Sequence, residues 1–168
     1  VLIEFSSVED SKDEKDKIES ILNKILNENL AKDIFIAQSL KQTKNMWNIR
    51  ESISEAQKKE GGSIKNDISI PIKDISKFIS SAIKISKEVI PGSRCVVFGH
   101  IGDGNIHFNI SQPVKADKDK FLKKERALRK EIINLTLDLQ GSISAEHGIG
   151  ITRKADLKKY MKKDVEVF

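Results

Sequence analysis

The chain has 168 residues, enough for a single domain with a real core, and charged side chains make up 33% of it against 5% aromatic. The core must therefore be mostly Ile, Leu and Val, and the clear periodicity of those residues excludes wholesale disorder. The net charge of +5 comes from 30 basic and 25 acidic residues that mostly alternate, with no aromatic interleaving, so no nucleic-acid surface is expected.

A single cysteine, Cys95, excludes an internal disulfide and reads as a small buried hydrophobe in a reducing compartment. The location expected is cytoplasmic, with a peripheral place at the inner face of a membrane as the alternative. No apolar run is long enough to span a bilayer and no signal peptide opens the chain. Val1–Phe5 reads as a strand that begins at once, and Asp164–Phe168 stops without a cap. Both ends are expected to be cuts in something longer. The basic stretch Arg153 to Lys163 reads as a solvated helix face.

In chain order, Ser11 to Asn29 is predicted helical, with Ile18, Ile21, Leu22, Ile25 and Leu26 as its apolar stripe and Ser11 with Glu14 as a capping box. A short strand is expected at Ile34 to Ala37. Lys44 to Glu60 is helical in composition, and Gly61-Gly62 reads as its stop. Ile68 and Ile70 alternate with polar neighbours in a strand closed by Pro71. From Ile72 to Ile90 the three-four spacing of Ile75, Phe78, Ile79, Ala82 and Ile83 predicts an amphipathic helix, ended by Pro91-Gly92. Cys95–Phe98 is a predicted buried strand. Asn105 to Ile110 alternates, with Ile106, Phe108 and Ile110 on one face and His107 and Asn109 on the other. Lys118 to Gln140 reads as one long helix and Gly141 to Ala145 as a last strand. From Lys65 to Ala145 the order is strand, helix, strand, strand, helix, strand. That order predicts an α+β fold, a ferredoxin-like sandwich with helices packed on one face of an antiparallel sheet.

The chemistry is concentrated. All three histidines and six of the nine glycines fall in two segments, Gly99-His100-Ile101-Gly102-Asp103-Gly104-Asn105-Ile106-His107-Phe108-Asn109 and Gly141-Ser142-Ile143-Ser144-Ala145-Glu146-His147-Gly148-Ile149-Gly150. A tight hairpin through Gly102–Asn105 can bring His100 and His107 onto one sheet face, about 5 Å apart at the backbone if directly paired. Two neutral imidazoles at that distance can share a divalent metal. Glu146 would complete a two-His, one-carboxylate set with open positions, the pattern of a catalytic rather than a structural metal. His147 beside it could stay unligated and act as a general base near neutral pH. Bland alternatives stay open: histidines hydrogen-bonded in the core, Glu146 capping a helix after Gly150, Asp103 shaping its turn, Asn109 as an exposed strand residue.

Both histidine segments resemble the signature of the FAD-linked oxidase C-terminal domain. This domain belongs to flavoproteins that oxidise D-2-hydroxy acids: D-lactate dehydrogenase, the glycolate oxidase flavin subunit and D-2-hydroxyglutarate dehydrogenase. Trp47-Asn48-Ile49-Arg50-Glu51 is similar to the family's W-x-x-R-E helix, and Lys65-Asn66-Asp67-Ile68-Ser69-Ile70-Pro71 to its K-x-D-x-S-x-P strand. The resemblance implies that His100, His107 and Glu146 bind a divalent metal, usually zinc, and that His147 takes the hydroxyl proton. It implies further that Arg50 and Lys65 bind substrate carboxylate, with Asn109 as an added donor; Ser54, one helical turn after Arg50, would assist.

The same resemblance implies FAD as cofactor, bound in a domain of which nothing is seen in these 168 residues. The whole chain then reads as the substrate- and metal-binding domain of an FAD-dependent 2-hydroxy acid oxidoreductase, truncated at both ends. Alone it should not turn over a hydroxy acid, because nothing would receive the hydride. The implied partners are a small 2-hydroxy acid, an FAD-binding domain or subunit and a downstream electron acceptor, with a homodimer left open. Two rivals remain: a non-catalytic metal-binding or interaction module from a split gene, and an independent metallohydrolase using Glu146 or His147 to activate water.

Overall fold

A computed structural model describes residues 1–6 and 12–150. Ser11 of the expected capping box, the basic stretch 153–163 and the final residues lie outside the described part. The chain divides into two compact units, Val1–Ser54 and Glu55–Phe168, the division falling inside one helix.

In the first unit, residues 1–6 have no regular structure, so the expected opening strand does not form. Helix α1, Lys12–Asn27, is followed by Asn29 in the left-handed conformation at φ 53°, and Leu30 N–H donates back to the Ile25 carbonyl. This is the usual way a helix stops when asparagine stands in for glycine. The strand expected at Ile34–Ala37 is also absent. Asp33 Oδ1 takes the Ile34 N–H, Gln38 Nε2 donates to the Ile36 carbonyl, and the Gln38 N–H goes to Gln42 Oε1. Side chains thus satisfy backbone groups that a strand would have to pair. Helix α2, Leu40–Lys59, starts four residues before the prediction, with the Ser39 hydroxyl accepting the Gln42 N–H.

The second unit holds the core. Strand β1, Ser63–Ser69, is followed by a 3₁₀ turn at Ile72–Asp74 and helix α3, Ile75–Val89. Strands β2, Arg94–His100, and β3, Asn105–Ser111, form a hairpin around a second 3₁₀ turn at Ile101–Asp103. The sheet runs β1-β3-β2, antiparallel throughout. Side chains of directly paired residues share a face. Ile64, Ile68, Ile106, Phe108, Ile110, Cys95 and Val97 therefore lie together against α3 and the helix Glu125–Asp138, in one cluster with Phe78, Ala82, Leu128 and Ile132. Phe78 and Phe108 meet edge to face, centroids 5.7 Å apart, the arrangement favoured by the ring quadrupoles. The α+β sandwich with helices on one sheet face is as expected.

In this second unit, two elements differ from their expectation. The predicted helix 118–140 is broken into α4, Lys118–Leu122, and α5, Glu125–Asp138, where the Lys124 N–H bonds the Phe121 carbonyl three residues back. No glycine or proline marks that break. The predicted strand Gly141–Ala145 is reduced to a single antiparallel bridge from Ser142 to Ser69, on the outer edge of β1. Beyond it, the Ser142 hydroxyl bonds both the N–H and the carbonyl of Ser144, and the next free N–H groups turn to a side chain of β1. No helix among the described residues is long and apolar enough to cross a membrane.

Candidate functional site

The sheet face turned away from α3 and α5 carries the polar side chains. Register places them in rows: His100 with Asn105 and Ser69, Phe98 with His107 and Asp67, Val96 with Asn109 and Lys65. His100 and His107 are thus diagonal neighbours and not the direct pair that the hairpin suggested. The 3₁₀ turn and Gly104, at φ 71°, fill the connection and set Asn105 opposite His100. Diagonal positions still lie within reach of two imidazoles.

The Glu146 carboxylate joins them. Its Oε1 lies 3.7 Å from His100 Nε2 and its Oε2 3.6 Å from His107 Nε2. Glu146 and His147 are brought there by Asp67, whose Oδ2 accepts the backbone N–H of Glu146 at 3.0 Å and of His147 at 2.9 Å. The same carboxylate faces both remaining ring nitrogens, with His107 Nδ1 3.5 Å from Oδ1 and His147 Nδ1 3.6 Å from Oδ2. Burial alone would raise the Asp67 carboxyl. The N–H groups of His147 and Glu146, with the charge that His147 and His107 can carry, outweigh it and hold the group below its ordinary value.

His107 is held most firmly of the three histidines. Its side chain is 13% exposed, against 52% for His100 and 70% for His147. Its ring lies 5.1 Å from Phe98 on β2 and stacks on His147 at 5.5 Å. His147, expected to stand apart, therefore joins the cluster: donor atoms of Asp67, His107 and His147 all lie within 4.8 Å of one another.

Asn109 is buried and not an exposed strand residue. Its Nδ2 donates to Gln57 Oε1 at 2.9 Å, and Gln57 Nε2 donates to Ser111 Oγ at 3.0 Å. Lys65, its cross-strand partner on β1, is exposed. Arg50 and Ser54 lie one turn apart on α2, in the first unit, both half-buried.

A metal fits the donor chemistry of this face. Imidazole and carboxylate suit zinc and its neighbours, and two buried groups on this face lack partners among the described residues. One is Asp67 Oδ1; the other is the whole amide of Asn105, in the row beside His100 and His107. A buried polar atom left so costs about 1–3 kcal/mol unless a ligand, ion or water meets it.

Asp67, Gln57 and Asn105 are the residues that sequence reasoning did not assign. Asp67 stood inside the K-x-D-x-S-x-P stretch without a role, although its alternation with Lys65 and Ser69 already put it on the polar face. Gln57 gave no local signal, since its partners are more than fifty positions away.

The domain that carries this face can be placed in a family by its sequence. Residues 1–167 match the family described as FAD linked oxidases, C-terminal domain, and the chain belongs to that family. It is 38% identical over 135 residues to D-2-hydroxyglutarate dehydrogenase of Stutzerimonas stutzeri strain A1501, covering 80% of this chain and 29% of that protein. It is 36% identical over 162 residues to the probable mitochondrial D-2-hydroxyglutarate dehydrogenase of Oryza sativa subsp. indica, covering 96% of this chain and 27% of that one. With the Arabidopsis thaliana mitochondrial D-2-hydroxyglutarate dehydrogenase, identity is 33% over 157 residues, covering 94% and 26%. The chain thus spans less than a third of the length of these relatives.

Proposed function

We propose that this chain is the substrate- and metal-binding domain of an FAD-dependent D-2-hydroxy acid dehydrogenase, with the FAD-binding domain supplied by other sequence. The observation that carries the reading is the Glu146 carboxylate set between the Nε2 atoms of His100 and His107, on the face where Lys65 and Asn109 pair across strands. His100, His107 and Glu146 would hold a divalent ion, zinc by preference. When bound, that ion supplies Lewis acidity toward the substrate hydroxyl, and FAD supplies the two-electron acceptor, reoxidised by a downstream carrier.

The chain's own residues do the rest. Lys65 and Arg50 meet carboxylate, where a guanidinium fork gives two parallel bonds. Asn109, its amide fixed by Gln57, donates a further hydrogen bond. His147 takes the hydroxyl proton through Nε2, since its Nδ1 faces Asp67. Loss of that proton and of the Cα hydride turns the 2-hydroxy acid into a 2-oxo acid. D-2-hydroxyglutarate is the substrate best supported, because each relative above carries it in its name. The glycolate oxidase and D-lactate dehydrogenase types have no such support.

Calorimetric titration of the metal-free chain tests this directly. Zinc is expected to bind one per chain, and to be lost in His100→Ala and His107→Ala. The zinc-loaded chain should then bind D-2-hydroxyglutarate more tightly than D-lactate or glycolate. A folded chain that takes up no zinc, or variants that bind it as well as wild type, would overturn the ligand assignment.

A further inference from the structure

The carboxylate of Asp67 does more than its place on a strand requires. It lies directly opposite His107 in the β1–β3 register, its side chain only 12% exposed. Oδ2 is committed to the N–H groups of Glu146 and His147. Oδ1 is buried and accepts no hydrogen bond from the described residues, and it faces His107 Nδ1 at 3.5 Å. His147 presents the same ring nitrogen, Nδ1, to the same carboxylate.

An ionised carboxylate only accepts hydrogen bonds. A neutral imidazole has one proton, and His107 faces a carboxylate at each ring nitrogen; Asp67, 12% exposed against 43% for Glu146, is the less screened acceptor, so the proton belongs on Nδ1. For His107 this leaves the Nε2 lone pair aimed at Glu146 Oε2, acceptor against acceptor at 3.6 Å. That pairing is repulsive unless water or a cation lies between them, and the half-exposed Glu146 leaves room for either. We propose that Asp67 is a positioning residue that holds His107 and His147 as Nδ1–H tautomers, so that both present Nε2 to the site, while it clamps the backbone that carries Glu146. One group thereby prepares a metal ligand and a base at once and sets the third ligand in place. Contacts of this kind are often long without the bound ligand and tighten with it, and they tune metal affinity through ligand orientation and basicity.

This inference rests on the proposed function for the roles of the three residues, but the tautomers are a property of the chain alone. Long-range ¹H–¹⁵N spectra of the metal-free chain, at a pH above the histidine range (about 8), should show both His107 and His147 protonated at Nδ1. Protonation of His107 at Nε2 in the wild type overturns the proposal. Asp67→Asn keeps an oxygen for the Glu146 and His147 N–H groups but turns an amide N–H toward His107. The same exchange beside a catalytic histidine is known to keep geometry and invert the tautomer. Here it should move His107 to the Nε2–H form and lower zinc affinity by about 10–100-fold. A folded Asp67→Asn chain that retains the wild-type tautomer and zinc affinity refutes the role. If Asp67→Asn does not fold, the wild-type spectrum still decides, and Asp67→Glu, which keeps the acceptor, should retain Nδ1–H. Wild-type chain showing both Nδ1–H tautomers yet binding no zinc would sink the metal reading and uphold Asp67; zinc binding with His107 at Nε2–H would do the reverse.

Discussion

Replacing Gly104 by alanine would put a Cβ 2.3 Å from the carbonyl oxygen of Ile70, at a residue whose φ is +71°. The oxygen cannot retreat, because the Ile70 N–H is bonded to the Gly104 carbonyl at 2.8 Å and fixes the two backbones together. A left-handed conformation costs an L-residue about 1–2 kcal/mol, and overpacking against an immobile neighbour adds about 1–3 kcal/mol. Gly104→Ala should therefore destabilise by about 2–5 kcal/mol, a large part of the about 5–15 kcal/mol that a domain has. The corresponding fall in Tm is about 4–20 °C.

Two other glycines separate the causes. Gly148 has φ +68° with nothing among the described residues within 4 Å of the added Cβ, so Gly148→Ala should cost about 1 kcal/mol, from backbone conformation alone. Gly102, two residues from Gly104, also meets nothing among the described residues within 4 Å, and Gly102→Ala should stay within about 0.5 kcal/mol of wild type. Urea unfolding with unchanged m-values reads all three. The reasoning fails if Gly104→Ala is as stable as Gly102→Ala, or if Gly148→Ala costs as much as Gly104→Ala. Because Gly104 closes the hairpin between His100 and His107, its variant should also weaken zinc binding, whereas Gly102→Ala should not.

Gln57→Ala leaves Asn109 Nδ2 without its acceptor and Ser111 Oγ without its donor, both buried. Denaturation should show a loss of about 1–3 kcal/mol, and D-2-hydroxyglutarate binding to the zinc-loaded chain should weaken; unchanged stability would show that the network carries little. Burial raises the Cys95 thiol above its ordinary value, against the opposing effects of a Ser86 hydrogen bond and the Lys87 charge. The folded state thus favours the protonated thiol. Its contribution is complete below the unfolded thiol value of about 8.5 and is lost as pH rises through the folded one. Stability should fall more steeply above about pH 8.5 in wild type than in Cys95→Ala, and parallel curves for the two would rule this out.

The elements that pattern alone predicted well are those whose partners repeat along the chain. Helix α3 carries its three-four stripe because one face meets the sheet, and β3 alternates because one side is core and the other site. The segment Ile34–Ala37 forms no strand, although its four apolar-leaning residues fit a strand as well as a loop. Asp33, Gln38 and Gln42 decide the matter by capturing its backbone groups. The turn within 118–140 has no breaker residue to announce it, and Ser142 could make only one bridge because the N–H groups beyond it went to Asp67.

The site divides the same way. His100, His107, Glu146 and His147 were visible as residue types because metal-capable side chains and permissive glycines were crowded into two short segments. Their roles as a group were not, since a histidine's neighbours depend on register. A shift by two positions turned the supposed direct pair into a diagonal one, and the gap was filled by Glu146 from a segment 39 positions beyond His107. Composition and periodicity, being local, determined the α+β class, the β2–β3 hairpin and the polar face of the sheet. Only tertiary structure could decide that Asp67 holds both loops together. A carboxylate's choice among distant N–H groups is set by burial and backbone placement, and neither is written in the residues around it.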